Sequence, residues 1–233
     1  MIELKKGNIF TTQCQTIVNT INTVGVMGAG IAYEFKLRFP DMFEKYKIFC
    51  ENGLIDIGKL WIYKLTKFDN ENFEFILNFP TKRDWRHPTK IGYLELGLQK
   101  FVKTYKQKGI ESIAFPLLGA SKGGLNEEIS LNIMKKYLEK VDIPVEIWFF
   151  DPTANDDLYE DFREKFLNLD IDTIKRESGL RINLISKIQE SLYRPDINSL
   201  SALLKVKGIG ETTLEKAFKF AKSYQNKTLF SLN

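Results

Sequence analysis

TIVNTINTVGVMGAGIAYEFK, residues 16–36, decides the fold. Residues 16–22 are rich in β-branched side chains and read as a strand, and residues 30–39 read as a helix. Between them Gly25, Gly28 and Gly30 allow a tight path and a close approach of the backbone to a ligand. A helix that starts straight after such a loop offers unsatisfied N–H groups and the positive end of its dipole. The combination suits a phosphate or diphosphate. The other reading is a turn that only lets strand and helix pack closely, and the spacing is not that of GxGxxG.

Outward from that stretch, short β-branched or aromatic segments recur at 59–65, 73–79, 112–117 and 145–150. Helical segments are predicted at 41–53, 92–109 and 125–141; in the second, Leu94, Leu98, Phe101, Val102 and Tyr105 share one face. This alternation predicts an α/β fold, a mostly parallel sheet with helices on both faces, whose ligands bind beyond the carboxyl ends of the strands. PLLGASKGGLNEE (116–128) again follows a strand and precedes a helix, with Gly119, Gly123 and Gly124 in the loop. Two such loops on one sheet edge predict a cleft for a diphosphate-bridged nucleoside.

The 233 residues are 43% hydrophobic and 27% charged, as in soluble globular proteins. No apolar run reaches the roughly 20 residues of a membrane helix, and MIELKKGNIF lacks the apolar core of a signal peptide, so the expected compartment is the cytoplasm, with no membrane partner. Cys14 and Cys50 lie far apart and His87 is the sole histidine, which argues against a disulfide framework, a zinc site or a Ser–His–Asp triad. No metal or cofactor is expected. A further helix is predicted at 157–168, with Asn155 or Asp156 as its N-cap, and 180–225 reads as consecutive helices. The predicted division is an α/β domain over 1–168, a linker over 169–178 and a small all-α domain over 179–233. Residues 168–233 carry 11 Lys/Arg against 7 Asp/Glu, which contains the whole net charge of +4 and hints at a nucleic-acid partner.

KGNIF (6–10), TIVNTIN…GVMGAGIAYEFK (16–36) and IAFPLLGASKGGL (113–125) resemble the macrodomain family. That resemblance covers about residues 1–167 and implies an α/β/α sandwich that binds ADP-ribose. NFPTKRDWRHPT (78–89) is similar to the lysine segment of DarG-type DNA ADP-ribosyl glycohydrolase antitoxins, and to that of the human terminal ADP-ribose glycohydrolase. The implied activity is hydrolysis of ADP-ribose from DNA bases, with thymidine the base implied and guanosine the alternative. The implied partners are ADP-ribose or ADP-ribosylated DNA and a cognate DNA ADP-ribosyltransferase toxin. Non-catalytic binding of ADP-ribose, or hydrolysis of ADP-ribosylated protein carboxylates, are competing readings.

Residue by residue, the resemblance makes Lys82 the catalytic lysine and sets Asn22 against the distal ribose. Asn8 and Ile9 fall near the adenine. Gly28, Gly30, Ile31 and Ala32 match the loop around the diphosphate and ribose, and Asn19, Gly25 and Met27 are also placed among the ADP-ribose-binding residues. Leu118, Gly119, Ala120, Ser121, Lys122, Gly123, Gly124 and Leu125 form the second phosphate loop. The family often reads GCGNGGLDW where this chain has GASKGGLNE, so Lys122 comes within reach of the phosphates, and the human enzyme's catalytic aspartate aligns at Gly123.

Cleaving a glycosidic bond passes through an oxocarbenium-like transition state, and the leaving base needs a proton or electrostatic help. A lysine near its reference pKa of about 10.4 is mostly protonated at neutral pH; burial, or the nearby Arg83 and Arg86, would lower it. Lys82 then either transfers protons and polarises the ribose, or attacks the opened sugar as a Schiff-base nucleophile. Trp85 either stacks on a DNA base or caps the sheet edge, with Arg83 and Arg86 as phosphate contacts. His87, before Pro88, reads as a turn residue.

LLKVKGIGETTLEKAFKFA (203–221) resembles a helix-hairpin-helix motif, in which hairpin N–H groups hold a DNA phosphate without reading sequence. Gly208 and Gly210 would form the hairpin, and Lys205, Lys207 and Lys216 would add phosphate contacts. The competing reading is an αα-hairpin with a protein partner.

Overall fold

The computed structural model describes residues 1–66, 69, 71–154 and 156–230, without the side chains of 224–230. The chain forms two compact units, Met1–Asp151 and Pro152–Asn233.

The first unit holds a six-stranded sheet. Its strands are β1 (Ile2–Gly7), β2 (Thr16–Ile21), β3 (Trp61–Lys64), β4 (Phe75–Pro80), β5 (Ile113–Pro116) and β6 (Val145–Phe150), in the order β1-β6-β5-β2-β4-β3. All pairs are parallel except β3 with β4. Side chains alternate between two buried faces, as a sheet covered on both sides requires. From β2, Ile17 and Ile21 enter the cluster with Phe35 and Met42, of α1 (Gly30–Arg38) and α2 (Pro40–Glu51). Val18 points the other way, into the cluster with Leu94, Leu98 and Met134, of α3 (Ile91–Thr104) and α4 (Glu127–Leu138). The result is an α/β/α sandwich, as read from the sequence.

Local signals place the helices. Pro40 starts α2 at a position where no N–H is needed. Asn126 caps α4 by accepting from the N–H groups of Glu128 and Ile129. Gly97 lets α3 close on the sheet: a methyl group there would lie 2.2 Å from the Phe79 ring.

The second unit contains α5 (Tyr159–Asn168), α6 (Ile171–Ser178), α7 (Ile182–Ser191), a 3-10 turn at Ser201–Lys205 and α8 (Glu211–Phe230). Phe220 meets the rings of Phe162 and Phe166 edge-on, at 6.0 and 5.5 Å between centroids. The division therefore differs from the sequence reading in two ways. α5 packs with the helical unit rather than the sheet. The predicted linker 169–178 is largely α6, capped by Asp170 accepting from Thr173 N–H at 2.8 Å and ended by left-handed Gly179. Of the two N-cap candidates for α5, Asn155 lies outside the described residues; Asp156 accepts from Leu158 N–H at 2.9 Å, one residue before the helix.

The boundary also moves the charge. Residues 1–151 carry 21 Lys/Arg and 18 Asp/Glu, and 152–233 carry 13 and 12. The basic tail is a consequence of cutting the chain after α5's acidic first turn; the helical unit as a whole is close to neutral.

Candidate active site

Because β1, β6, β5, β2 and β4 run parallel, the loops that follow them leave one edge of the sheet. Three neighbours supply the site: Asn22–Ala29 after β2, Thr81–Lys90 after β4 and Leu117–Asn126 after β5. Sites on such sheets form where adjacent parallel strands deliver their loops together.

The first loop is built on Asn22. Its carboxamide oxygen accepts from the N–H groups of Val24 (3.0 Å) and Val26 (3.3 Å), and its amide donates to the Val26 carbonyl (2.5 Å). The Tyr46 hydroxyl of α2 donates to the same side chain and to its backbone carbonyl. Asn22 is thus buried and organises the loop, with one amide hydrogen outside these bonds. Gly25 and Gly30 are left-handed, and Gly28, Ala29 and Gly30 are exposed at the start of α1, with Ile31 and Ala32 half-buried behind them. Met27 and Asn19 lie beneath the loop. Asn19, fully buried, donates to Asn78 on β4 at 2.9 Å, and its own oxygen has no partner. Ile9 is likewise core, while Asn8 caps the short 3-10 turn after β1 by accepting from Phe10 N–H. Ile9, Asn19 and Met27 therefore support the site from below rather than line it.

The second loop runs through Gly119 (φ +70°), Ser121 (φ +49°) and Gly124 (φ +79°); Ser121 is the one non-glycine residue at positive φ among the described residues. Leu118 and Gly123 are buried, Ala120 and Leu125 half-buried, and Ser121, Lys122 and Gly124 face solvent. Ser130 of α4 fixes the loop's origin by donating to the Leu118 carbonyl.

The segment after β4 is tied to both loops. The Arg83 carbonyl accepts from the N–H and hydroxyl of Thr23, each at 3.0 Å. On the other side the Lys82 amine donates to the Lys122 carbonyl at 2.9 Å, and Thr89 N–H donates to the Gly123 carbonyl at 2.9 Å. Thr89, which sequence reasoning missed, is buried between the glycines: methyl groups on Gly119 and Gly123 would lie 2.8 Å from its Cγ2 and 2.9 Å from its Oγ1. The glycines of the second loop are thus required as much by Thr89 as by any ligand.

Lys82 is half-buried, and burial lowers its pKa below the ordinary lysine value. The neighbouring arginines have other business. Arg83 pairs with Asp56 at 3.0 Å, and Arg86 grips Asp84 with two hydrogen bonds, holding that carboxyl far below its usual range. The sequence reading that Arg83 or Arg86 tunes the lysine gives way to desolvation. Trp85 is 57% exposed, with the Arg86 guanidinium 6.0 Å from its ring centre, so it stands out from the sheet edge instead of capping it.

In the helical unit the stretch read as a hairpin consists of the 3-10 turn, left-handed Gly208 (φ +88°) and α8. Lys207, Gly208 and Gly210 are exposed. Two of the proposed phosphate lysines serve the fold: Lys205 donates to the Asp196 carbonyl and Lys216 to the carbonyl of Gly179 at the end of α6. Lys187, not singled out from sequence, donates to the Lys207 carbonyl at 3.0 Å.

Known proteins share the fold of the first unit. The family model described as Macro domain matches residues 18–134. A DNA ADP-ribosyl glycohydrolase of Thermus aquaticus is 38% identical over 155 residues, covering 66% of this chain and 42% of the relative. A DNA ADP-ribosyl transferase–DNA ADP-ribosyl glycohydrolase fusion protein of Thermosipho africanus is 38% identical over 160 residues, covering 63% of this chain and 41% of the relative. Among solved structures, Thermosipho africanus DarTG in complex with ADP-ribose superposes with a TM-score of 0.60 at 36% identity, over 64% of this chain and 41% of that one. The chain thus spans about two fifths of the length of the curated relatives it matches.

Proposed function

Because the chain belongs to the Macro domain family, we propose that it is a hydrolase that removes ADP-ribose from ADP-ribosylated DNA bases, with thymidine the base implied by the sequence resemblance. One observation carries the reading: a half-buried lysine, its pKa lowered by desolvation, is fixed between two glycine loops at the carboxyl edge of a parallel sheet. In this reading the loops hold the diphosphate through backbone N–H groups. Asn22 keeps the first loop in shape and offers its spare amide hydrogen to the distal ribose, and Asn8 marks the adenine end.

Lys82 then faces the anomeric carbon. The glycosidic C–N bond breaks with its electron pair going to the base nitrogen; water supplies the new hydroxyl of ADP-ribose, and the proton it gives up ends on that nitrogen. A lowered pKa raises the neutral fraction of the amine, which serves either as proton acceptor for that water or as nucleophile at the sugar. Trp85, exposed beside Lys82, offers a stacking surface for a DNA base. Through the hairpin of the second unit, Lys207, Gly208 and Gly210 offer sequence-independent backbone contacts. A DNA ADP-ribosyltransferase, joined to the glycohydrolase in the Thermosipho relative, supplies the substrate and is the proposed protein partner. The reading places the protein in the cytoplasm, where DNA and such a transferase meet; no described helix is long and apolar enough to cross a membrane.

The test is to incubate the chain with a thymidine-ADP-ribosylated oligonucleotide and, in parallel, with a glutamate-ADP-ribosylated peptide. Release of ADP-ribose from the oligonucleotide alone is the expected result. Tight ADP-ribose binding with neither substrate cleaved would instead make the protein a binding module.

A further inference from the structure

Lys122 crosses the cleft. A methyl group placed on Gly30 of the first loop would lie 3.5 Å from its Cγ, so the stem of this second-loop residue already reaches the first loop. Its ammonium has no acidic partner among the described residues, and the residue is exposed. The two arginines of the segment after β4 are held by carboxylates: Arg83 by Asp56, Arg86 by Asp84. Lys82, partly desolvated, carries its charge less readily than a surface lysine.

A diphosphate entering between the loops meets the exposed Lys122 side chain, at the point where the loops come together. The backbone of the same residue accepts from the Lys82 amine at 2.9 Å. That carbonyl is aimed by the left-handed turn at Ser121, with left-handed Gly119 and Gly124 on either side.

We propose that Lys122 is a clasp for the diphosphate of ADP-ribose, its ammonium closing over the phosphates while its carbonyl aims the Lys82 amine at the ribose. The proposal rests on the ADP-ribose reading of the cleft and adds a residue that reads the diphosphate and positions the reacting group together. It makes affinity for the nucleotide depend on a cation, and therefore on salt, where loops acting through backbone N–H groups alone would give a weaker dependence.

Calorimetric titration of the whole chain with ADP-ribose and with adenosine, at low and high salt, tests it. Lys122→Ala removes the ammonium and keeps the carbonyl. The expected result is an ADP-ribose Kd raised about tenfold, in line with loss of a charge-assisted hydrogen bond, with a flatter salt dependence. Adenosine affinity stays as in wild type, Lys122→Arg recovers most of the loss, and in turnover the defect falls on KM more than on kcat. Wild-type ADP-ribose affinity in Lys122→Ala, or an unaltered salt dependence, overturns the clasp while leaving the cleft's ligand in place; so does adenosine affinity falling in step. A wild-type chain that binds no ADP-ribose overturns the ligand assignment, and the clasp with it.

Discussion

The amine of Lys82 and the carbonyl of Lys122 are joined at 2.9 Å, although 40 residues separate them in the chain. The bond holds the amine at the junction of the loops that follow two strands, and its donor is a lysine whose positive charge is disfavoured by burial. An acceptor on the loop gives that amine a fixed direction without neutralising it, as a carboxylate would. The site follows from this pair.

Replacing Lys82 removes the group proposed to handle protons or attack the sugar. Lys82→Ala is expected to cut release of ADP-ribose from oligonucleotide by about 10²–10⁴-fold, the usual contribution of a positioned acid or base. ADP-ribose affinity should change by much less. Turnover at the wild-type rate would remove Lys82 from the mechanism.

The lowered pKa sets the sign of the pH response. The neutral amine is the competent form as base or nucleophile, so the rate should rise with pH. Because burial favours that form, the midpoint should fall below the ordinary 10.5. A pH–rate profile checks this. Borohydride added during turnover separates the two roles: a covalent adduct on Lys82, seen by mass spectrometry, marks the Schiff base, and its absence with full activity marks proton transfer.

Two glycines carry opposite consequences. At Gly97 an added methyl would collide with the Phe79 ring, so Gly97→Ala should lower stability by about 1–3 kcal/mol, as overpacking does, measured by denaturant unfolding. At Gly119 the left-handed backbone and the contacts with Thr89 and Leu125 make Gly119→Ala a local insult. ADP-ribose binding should suffer more than overall stability there.

The proposed DNA contacts of Trp85 and residues 207–210 can be tested apart from nucleotide affinity. Trp85→Ala is expected to weaken oligonucleotide binding by about 1–3 kcal/mol, the range for one stacked base, and to leave free ADP-ribose binding intact. Lys207→Ala should reduce the salt dependence of DNA binding by nearly one counterion if the hairpin holds a phosphate. Equal salt slopes for variant and wild type would remove the Lys207 side chain from DNA binding.

The sandwich was legible because its strands are buried on both faces and its loops need glycine, signals that lie within ten or so residues. β1 escaped because IELKKG is an edge strand whose Glu3, Leu4 and Lys6 face solvent, which erases the apolar run. α6 escaped because only Ile174 and Ser178 are buried on it; Asp170 and Gly179, a cap and a stop nine residues apart, were the available signal. At the site, Lys82 and the glycine loops were legible by resemblance. The partners that decide chemistry were not, since Arg83 meets Asp56, Asn22 meets Tyr46 and Thr89 meets Gly119 across spans that no local pattern reports.

Thr23 with Arg83, Lys82 with Lys122 and Thr89 with Gly123 stitch three loops from three strands into one object. A chimera that imports the second loop alone would bring a foreign carbonyl to Lys82 and a foreign fit to Thr89. The exchangeable part is the trio, cut at the strand ends Ile21, Pro80 and Pro116, and redesign of the substrate range should move all three together.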